Sequence, residues 1–147
     1  MGSAERRRGA DAERAVVRYL RGRGHEARRY LAGDGRQPGD VDWHPLVCLE
    51  VKDRASSSWP SWCRQAVAEA PEGTVPAVVR RTRGIADPGA WECRVDATLW
   101  VLVLGRTHPL GPLTGTTEGR LWIVTTLAGL VSAVERHDVL DRIGGEA

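Results

Sequence analysis

Asp40, Glu50 and Lys52 are the residues of this chain whose types and spacing could do chemistry together. They lie in the segment QPGDVDWHPLVCLEVKDR, residues 37–54. Two neighbouring carboxylates repel each other and lose hydration unless a cation offsets both costs. Mg²⁺ does so with oxygen ligands, taking one or two carboxylates and completing its octahedron with water and substrate phosphate. Asp40 and Glu50 suit that role, with the backbone carbonyl of Val51 as a third ligand. Such an ion acidifies a bound water and neutralises charge on a phosphodiester oxygen. Lys52 would orient the attacking water or stabilise the growing negative charge. It is the only lysine among 21 basic residues, and the other 20 are arginines. A lysine kept in so arginine-rich a chain points to a compact, tunable donor rather than a generic positive charge. Taken alone, however, Glu50 and Lys52 would read as an ion pair on an exposed strand face.

The elements around these residues must bring them together. Val47, Leu49 and Val51 alternate with Cys48, Glu50 and Lys52, which is strand periodicity with Glu50 and Lys52 on one face. Asp40 and Asp42 precede in a shorter alternating run, and Pro45 belongs at the intervening turn. The segment therefore folds as a β-hairpin that brings Asp40 to Glu50, with Asp42 as the rival to Asp40. A helix is expected from Asp11, as N-cap, to Arg23, with residues 1–9 frayed and Gly24 as the stop. Its stripe is Ala12, Ala15, Val16, Tyr19 and Leu20, and Glu13 lies at the stripe's edge. Glu13 either looks into the cleft, binding a second ion or positioning water, or serves the helix dipole. A second helix, from Trp59 to Ala70, has Pro60 in its first turn and Gln65 at the equivalent border position.

Strands are expected at His25–Leu31 and Val75–Thr82, with loops at 32–38 and 84–89. Trp91–Leu104 reads as one or two strands and Gly105–Gly119 as a mobile loop or insertion. Arg120–Thr126 is the last strand, and Thr126 caps a closing helix from Leu127 to about Leu140. The order αβββαβ with further C-terminal strands and a helix gives an α/β class, a mixed sheet with helices on its faces.

At 147 residues, 41% hydrophobic and 27% charged, the chain is one globular domain. Cys48, Cys63 and Cys93 are odd in number and widely spaced, which reads as buried free thiols in a reducing compartment. With no apolar run of spanning length and no signal-peptide pattern, a soluble, cytoplasmic protein is expected. The net charge is only +2, but arginines cluster at Arg6–Arg8, at Arg28 and Arg29, and at Arg80, Arg81 and Arg83. Those at 28, 29, 80, 81 and 83 are candidates for tracking DNA phosphates. Trp43 and Trp59 flank the hairpin and either stack on bases or join the core, whereas Trp62 is placed for the core. His44, at a turn, is expected to be exposed.

Glu13 in ADAERAVVRYLRGRGHEARR, Asp40 in QPGDV, Glu50 and Lys52 in LEVKDR and Gln65 in WPSWCRQA together resemble the PD-(D/E)xK nuclease superfamily. Within it they are similar to the Holliday-junction-resolvase-like branch, whose members are often phage-encoded. The likeness covers residues 9–84 and leaves 85–147 as an extension. It implies a restriction-endonuclease-like fold and a Mg²⁺- or Mn²⁺-dependent endonuclease acting on branched DNA as a homodimer. It makes Asp40 and Glu50 metal ligands, Lys52 the catalytic lysine, Glu13 the helix carboxylate and Gln65 a helper near metal or phosphate. Gly39 stands where the family name has Pro. A dimer edge would come from Thr98–Leu104 or Leu121–Val124. The alternatives are a DNA-binding module without turnover and a protein-interaction domain in which Glu50 and Lys52 merely pair.

Overall fold

The computed structural model describes residues 2–31, 39–56, 58–104, 113–117 and 120–145. The expected loop at 32–38 lies outside them, as does most of the stretch 105–119. The elements are α1 (Ser3–Gly22), β1 (Arg28–Arg29), β2 (Val41–Asp42), β3 (Val47–Lys52), α2 (Trp59–Glu69) and β4 (Val75–Arg80). After a 3₁₀ turn at Pro88–Ala90 come β5 (Glu92–Asp96), α3 (Ala97–Leu104), β6 (Leu113–Thr117), β7 (Arg120–Thr126) and α4 (Leu127–Gly145).

One seven-stranded sheet runs in the order β1-β2-β3-β4-β5-β7-β6. Among the described strands only β3 and β4 pair in parallel, because α2 carries the chain back between them. The other neighbours are antiparallel, so the sheet is mixed and open, with β1 and β6 at its edges.

Alternation along β3 sends Val47, Leu49 and Val51 into the larger core, with Val16 and Leu20 of α1 and Leu130 and Val134 of α4. Each such fully buried aliphatic side chain contributes about 1.5–3 kcal/mol. The opposite face is covered by α2, whose Trp59, Trp62, Cys63 and Ala66 pack with Val78 and Trp122. Both faces of β3 are therefore buried, and its exposure rises only at Lys52. All three cysteines are free and buried.

Several expectations are corrected. Residues 3–9 are helical rather than frayed, and Asp11 lies inside α1, where it pairs with Arg14 at 2.6 Å. The early start is held by Glu5, which accepts from Arg54 at 2.6 Å. The strand expected at His25–Leu31 shrinks to two residues, because its partner β2 is equally short. Thr98–Leu104 is helix rather than strand. The buried Asp96 caps α3, its Oδ1 accepting from Leu99 N–H at 2.9 Å while Oδ2 accepts from Arg120 at 2.9 Å. The stretch read as loop or insertion contains β6. The last helix continues to Gly145. Neither proposed dimer edge is a free strand edge: one is a helix, and β7 lies between β5 and β6.

α4 is also tied to the first hairpin. His44 Nδ1 accepts from Leu46 N–H at 3.1 Å, which leaves Nε2–H to donate to Asp138 at 3.0 Å. His25 meets Glu135 at 2.8 Å, and Arg23 reaches the same carboxylate at 2.9 Å. His44 is thus a structural link, not an exposed turn residue. No helix among the described residues is long and apolar enough to cross a membrane.

Candidate active site at the β2–β3 edge

Gly39 makes the approach of Asp40 to β3 possible. Its φ is +83°, and a Cβ there would lie 2.6 Å from the Leu49 carbonyl oxygen. Proline, fixed near φ −65°, cannot adopt this conformation. Gly39→Ala is expected to cost about 1–2 kcal/mol from the left-handed backbone alone, with the clash added. A thermal melt checks this; an unchanged midpoint would mean that the hairpin does not need this geometry.

From Gly39 the chain enters the ladder. Asp40 N–H donates to Leu49 O at 2.9 Å, and Val41 pairs with Leu49. Beyond that point β3 outruns β2, and the Asp40 side chain takes the missing partner's place. Its Oδ2 accepts from Val51 N–H at 2.8 Å. In a strand the N–H and C=O of one residue point to the same side. The Val51 carbonyl therefore faces the side on which Asp40 stands.

Glu50 projects towards α2 and is 3% exposed, so the reading as a surface ion pair with Lys52 is excluded. Burial pushes its carboxyl up to about 9. The Asp40 charge adds to the shift, as do Glu69 and Asp40 as hydrogen-bonding neighbours, and Lys52 opposes it. Glu50 Oε1 is sealed from solvent without a hydrogen-bond partner. Lys52, on the same face, donates from Nζ to Gln65 Oε1 at 3.1 Å, and Gln65 Nε2 donates to Glu69 Oε1 at 3.0 Å. The helix spacing of Gln65 and Glu69, four residues apart on one face, sets this short chain.

Glu69 is the residue that sequence reasoning missed. Its signal was the i, i+4 relation to Gln65. The carboxylates of Glu50, Glu69 and Asp40 all act on buried Cys48, whose thiol is raised first by burial and then by these three charges. Glu13 reaches the margin of the group. Burial raises its carboxyl, the Arg29 hydrogen bond at 2.7 Å lowers it, and Asp40 raises it again.

The remaining candidates separate from this group. Asp42, the rival to Asp40, is 46% exposed and accepts from Arg28 at 3.2 Å. Asp53 lies past β3 and faces Arg81 at 3.6 Å. Arg29 is engaged by Glu13. Arg80, paired in register with Lys52, is half-buried with its Nε lacking a hydrogen-bond partner. Arg81 and Arg83 are exposed beyond β4. Trp43, Trp59 and Trp62 are all buried, so none offers a face for base stacking. Trp43 packs edge-on against His25, and Trp59 lies under the Arg94 guanidinium at 4.3 Å.

The donor set fits a hard dication. An orphaned carboxylate oxygen of Glu50, the Asp40 carboxylate and the Val51 carbonyl lie at one strand edge, and Lys52 is the charge that opposes the rise of the Glu50 carboxyl. Among the described residues no three His, Cys, Asp or Glu side chains converge as a metal site. The ligands would thus be two carboxylates and a peptide oxygen, a set compatible with Mg²⁺ when water and substrate complete the shell. No protein-family model, curated protein or solved structure matches this chain.

Proposed function

We propose that the protein is a Mg²⁺-dependent endonuclease of the PD-(D/E)xK type, hydrolysing phosphodiester bonds in branched DNA, with Mn²⁺ as an alternative ion. The observation that carries this reading is Glu50, a carboxylate buried beside Asp40 with an unpartnered oxygen, two residues along β3 from the only lysine. A buried polar group without a partner is costly, and a site of this kind persists where a ligand completes it. The strand order also supports it. An antiparallel β1-β2-β3 meander followed by a helix and a parallel β4 is what a restriction-endonuclease-like core requires.

Asp40, Glu50 and the Val51 carbonyl would hold the ion, which supplies a polarised phosphate and an acidified water. Lys52 sets its ammonium towards the scissile phosphate, where it stabilises charge that develops in the transition state. Gln65 holds that ammonium in place through its 3.1 Å contact, and Glu69 orients the Gln65 amide. Glu13 contributes negative charge from α1 at the outer margin. Paired incisions across a junction need two such centres, so a homodimer is part of this reading.

The test incubates the protein with labelled four-way junction, duplex and single-stranded DNA, with Mg²⁺ or with chelator. Cleavage of the junction only when Mg²⁺ is present is the expected result. Intact DNA in every Mg²⁺ and Mn²⁺ reaction would refute the assignment.

A further inference from the structure

A groove of about 630 Å³ opens directly beyond Lys52. Arg8 of α1 forms part of its wall, and Asp53, Arg81, Arg83 and Ile85 complete most of the rest. Arg81 N–H donates to the Lys52 carbonyl at 2.8 Å, so the groove and the acid group are adjacent along β3 and β4.

The groove is firmly built. Trp91 is 1% exposed and donates from its indole to Ile85 O at 2.8 Å, while the Arg81 guanidinium lies over the same ring at 5.6 Å. Arg83 sits in a tight turn closed by Ile85 N–H to Thr82 O at 3.2 Å, with Gly84 at φ +81°. Its charge is unbalanced. Three arginines face one carboxylate, and Asp53 is taken by Arg81 at 3.6 Å. Arg8 and Arg83 make no ion pair with a described residue.

We propose that this groove holds the phosphates of the DNA strand that flank the scissile bond, making a second anion site distinct from the acid group. The proposal rests on the nuclease reading and deepens it. A DNA strand carries one charge per about 3.4 Å of duplex axis. Lys52 points towards α2 and the groove is lined from α1, on the other face of the sheet, but both open at the same end of β3 and β4. A strand with one phosphate at Lys52 that rounds this end brings its next phosphates to Arg81, Arg8 and Arg83. Without a cation the acid group offers phosphate the Lys52 ammonium alone, so the groove carries most of the metal-independent binding.

The test measures junction binding by fluorescence anisotropy in EDTA, across salt concentrations. The proteins are wild type, Arg8→Ala, Arg83→Ala, the double variant, and Arg142→Ala as a charge-matched control at the far end of α4. Each groove variant should bind about tenfold more weakly near 0.1 M salt, and the log–log salt slope should fall by about 1 per arginine removed. Arg142→Ala should bind like wild type. A double variant with wild-type affinity and slope overturns the proposal.

Replacing single flanking phosphates with methylphosphonates in the DNA gives an independent readout on the unaltered protein. Affinity should fall for wild type and hold for the double variant; equal losses in both would overturn it. Binding that depends on a 5′-terminal phosphate would also overturn it, since the groove would then hold an end rather than a passing strand. Groove-dependent binding without any cleavage supports the groove while refuting the nuclease, so the two failures are separable.

Discussion

Glu50→Gln should abolish metal-dependent cleavage and, in metal-free solution, flatten the decline of stability with rising pH. In the folded protein burial holds this carboxyl up to about 9. In an unfolded chain it titrates near ~4.3. Between those values the folded state keeps a proton that the unfolded state has released. Its contribution is full below about 4.3, and falls by at most about 1.4 kcal/mol per pH unit on the way to about 9. The amide cannot titrate, so the variant loses this slope. A dication at Asp40 and Glu50 favours the ionised carboxylate, so Mg²⁺ should raise the wild-type melting temperature most at high pH. The variant should respond little. Melts from pH 5 to 9, with and without Mg²⁺, check both statements. Superimposable profiles for the two proteins would show that Glu50 is neither strained nor a ligand.

Lys52→Ala should lower kcat by about 10²–10³-fold, the usual cost of removing one donor from developing charge. Binding of the junction in Ca²⁺ or EDTA should change little. Lys52→Arg should not restore the rate, because a planar guanidinium replaces a point-like ammonium that Gln65 holds at 3.1 Å. Gln65→Ala, which frees the ammonium without removing it, should cost about tenfold, as a supporting residue does. Single-turnover cleavage on a labelled junction separates these cases. A rate for Lys52→Arg equal to wild type would reduce Lys52 to a general positive charge.

The hairpin, α2 and the convergence of Asp40, Glu50, Lys52 and Gln65 were legible because each depends on spacing within a few residues. Alternation along Val47–Lys52 fixes which side chains share a face. Less legible was whatever distant partners decide. The apolar run Thr98–Leu104 lacks a period that distinguishes strand from helix, and its helix is set by the cap of Asp96, which Arg120 holds from β7. Burial of Glu50 depends on α2 and β4 covering both sides of β3, which the alternation by itself does not reveal. Trp59 turned inward because Arg94, 35 positions later, covers its ring. Glu69 escaped notice because its role arises only once Gln65 is turned towards Lys52.

The ties from His25 and His44 to Glu135 and Asp138 join residues 110 and 94 positions apart. During synthesis the β2–β3 hairpin leaves the ribosome long before α4 exists to cover its inner face. Contacts so remote in sequence form late and only after a large loss of chain entropy. A nascent chain therefore carries Asp40, Glu50 and Lys52 without the support that fixes them. On the nuclease reading, cleavage would begin only once the last helix has docked.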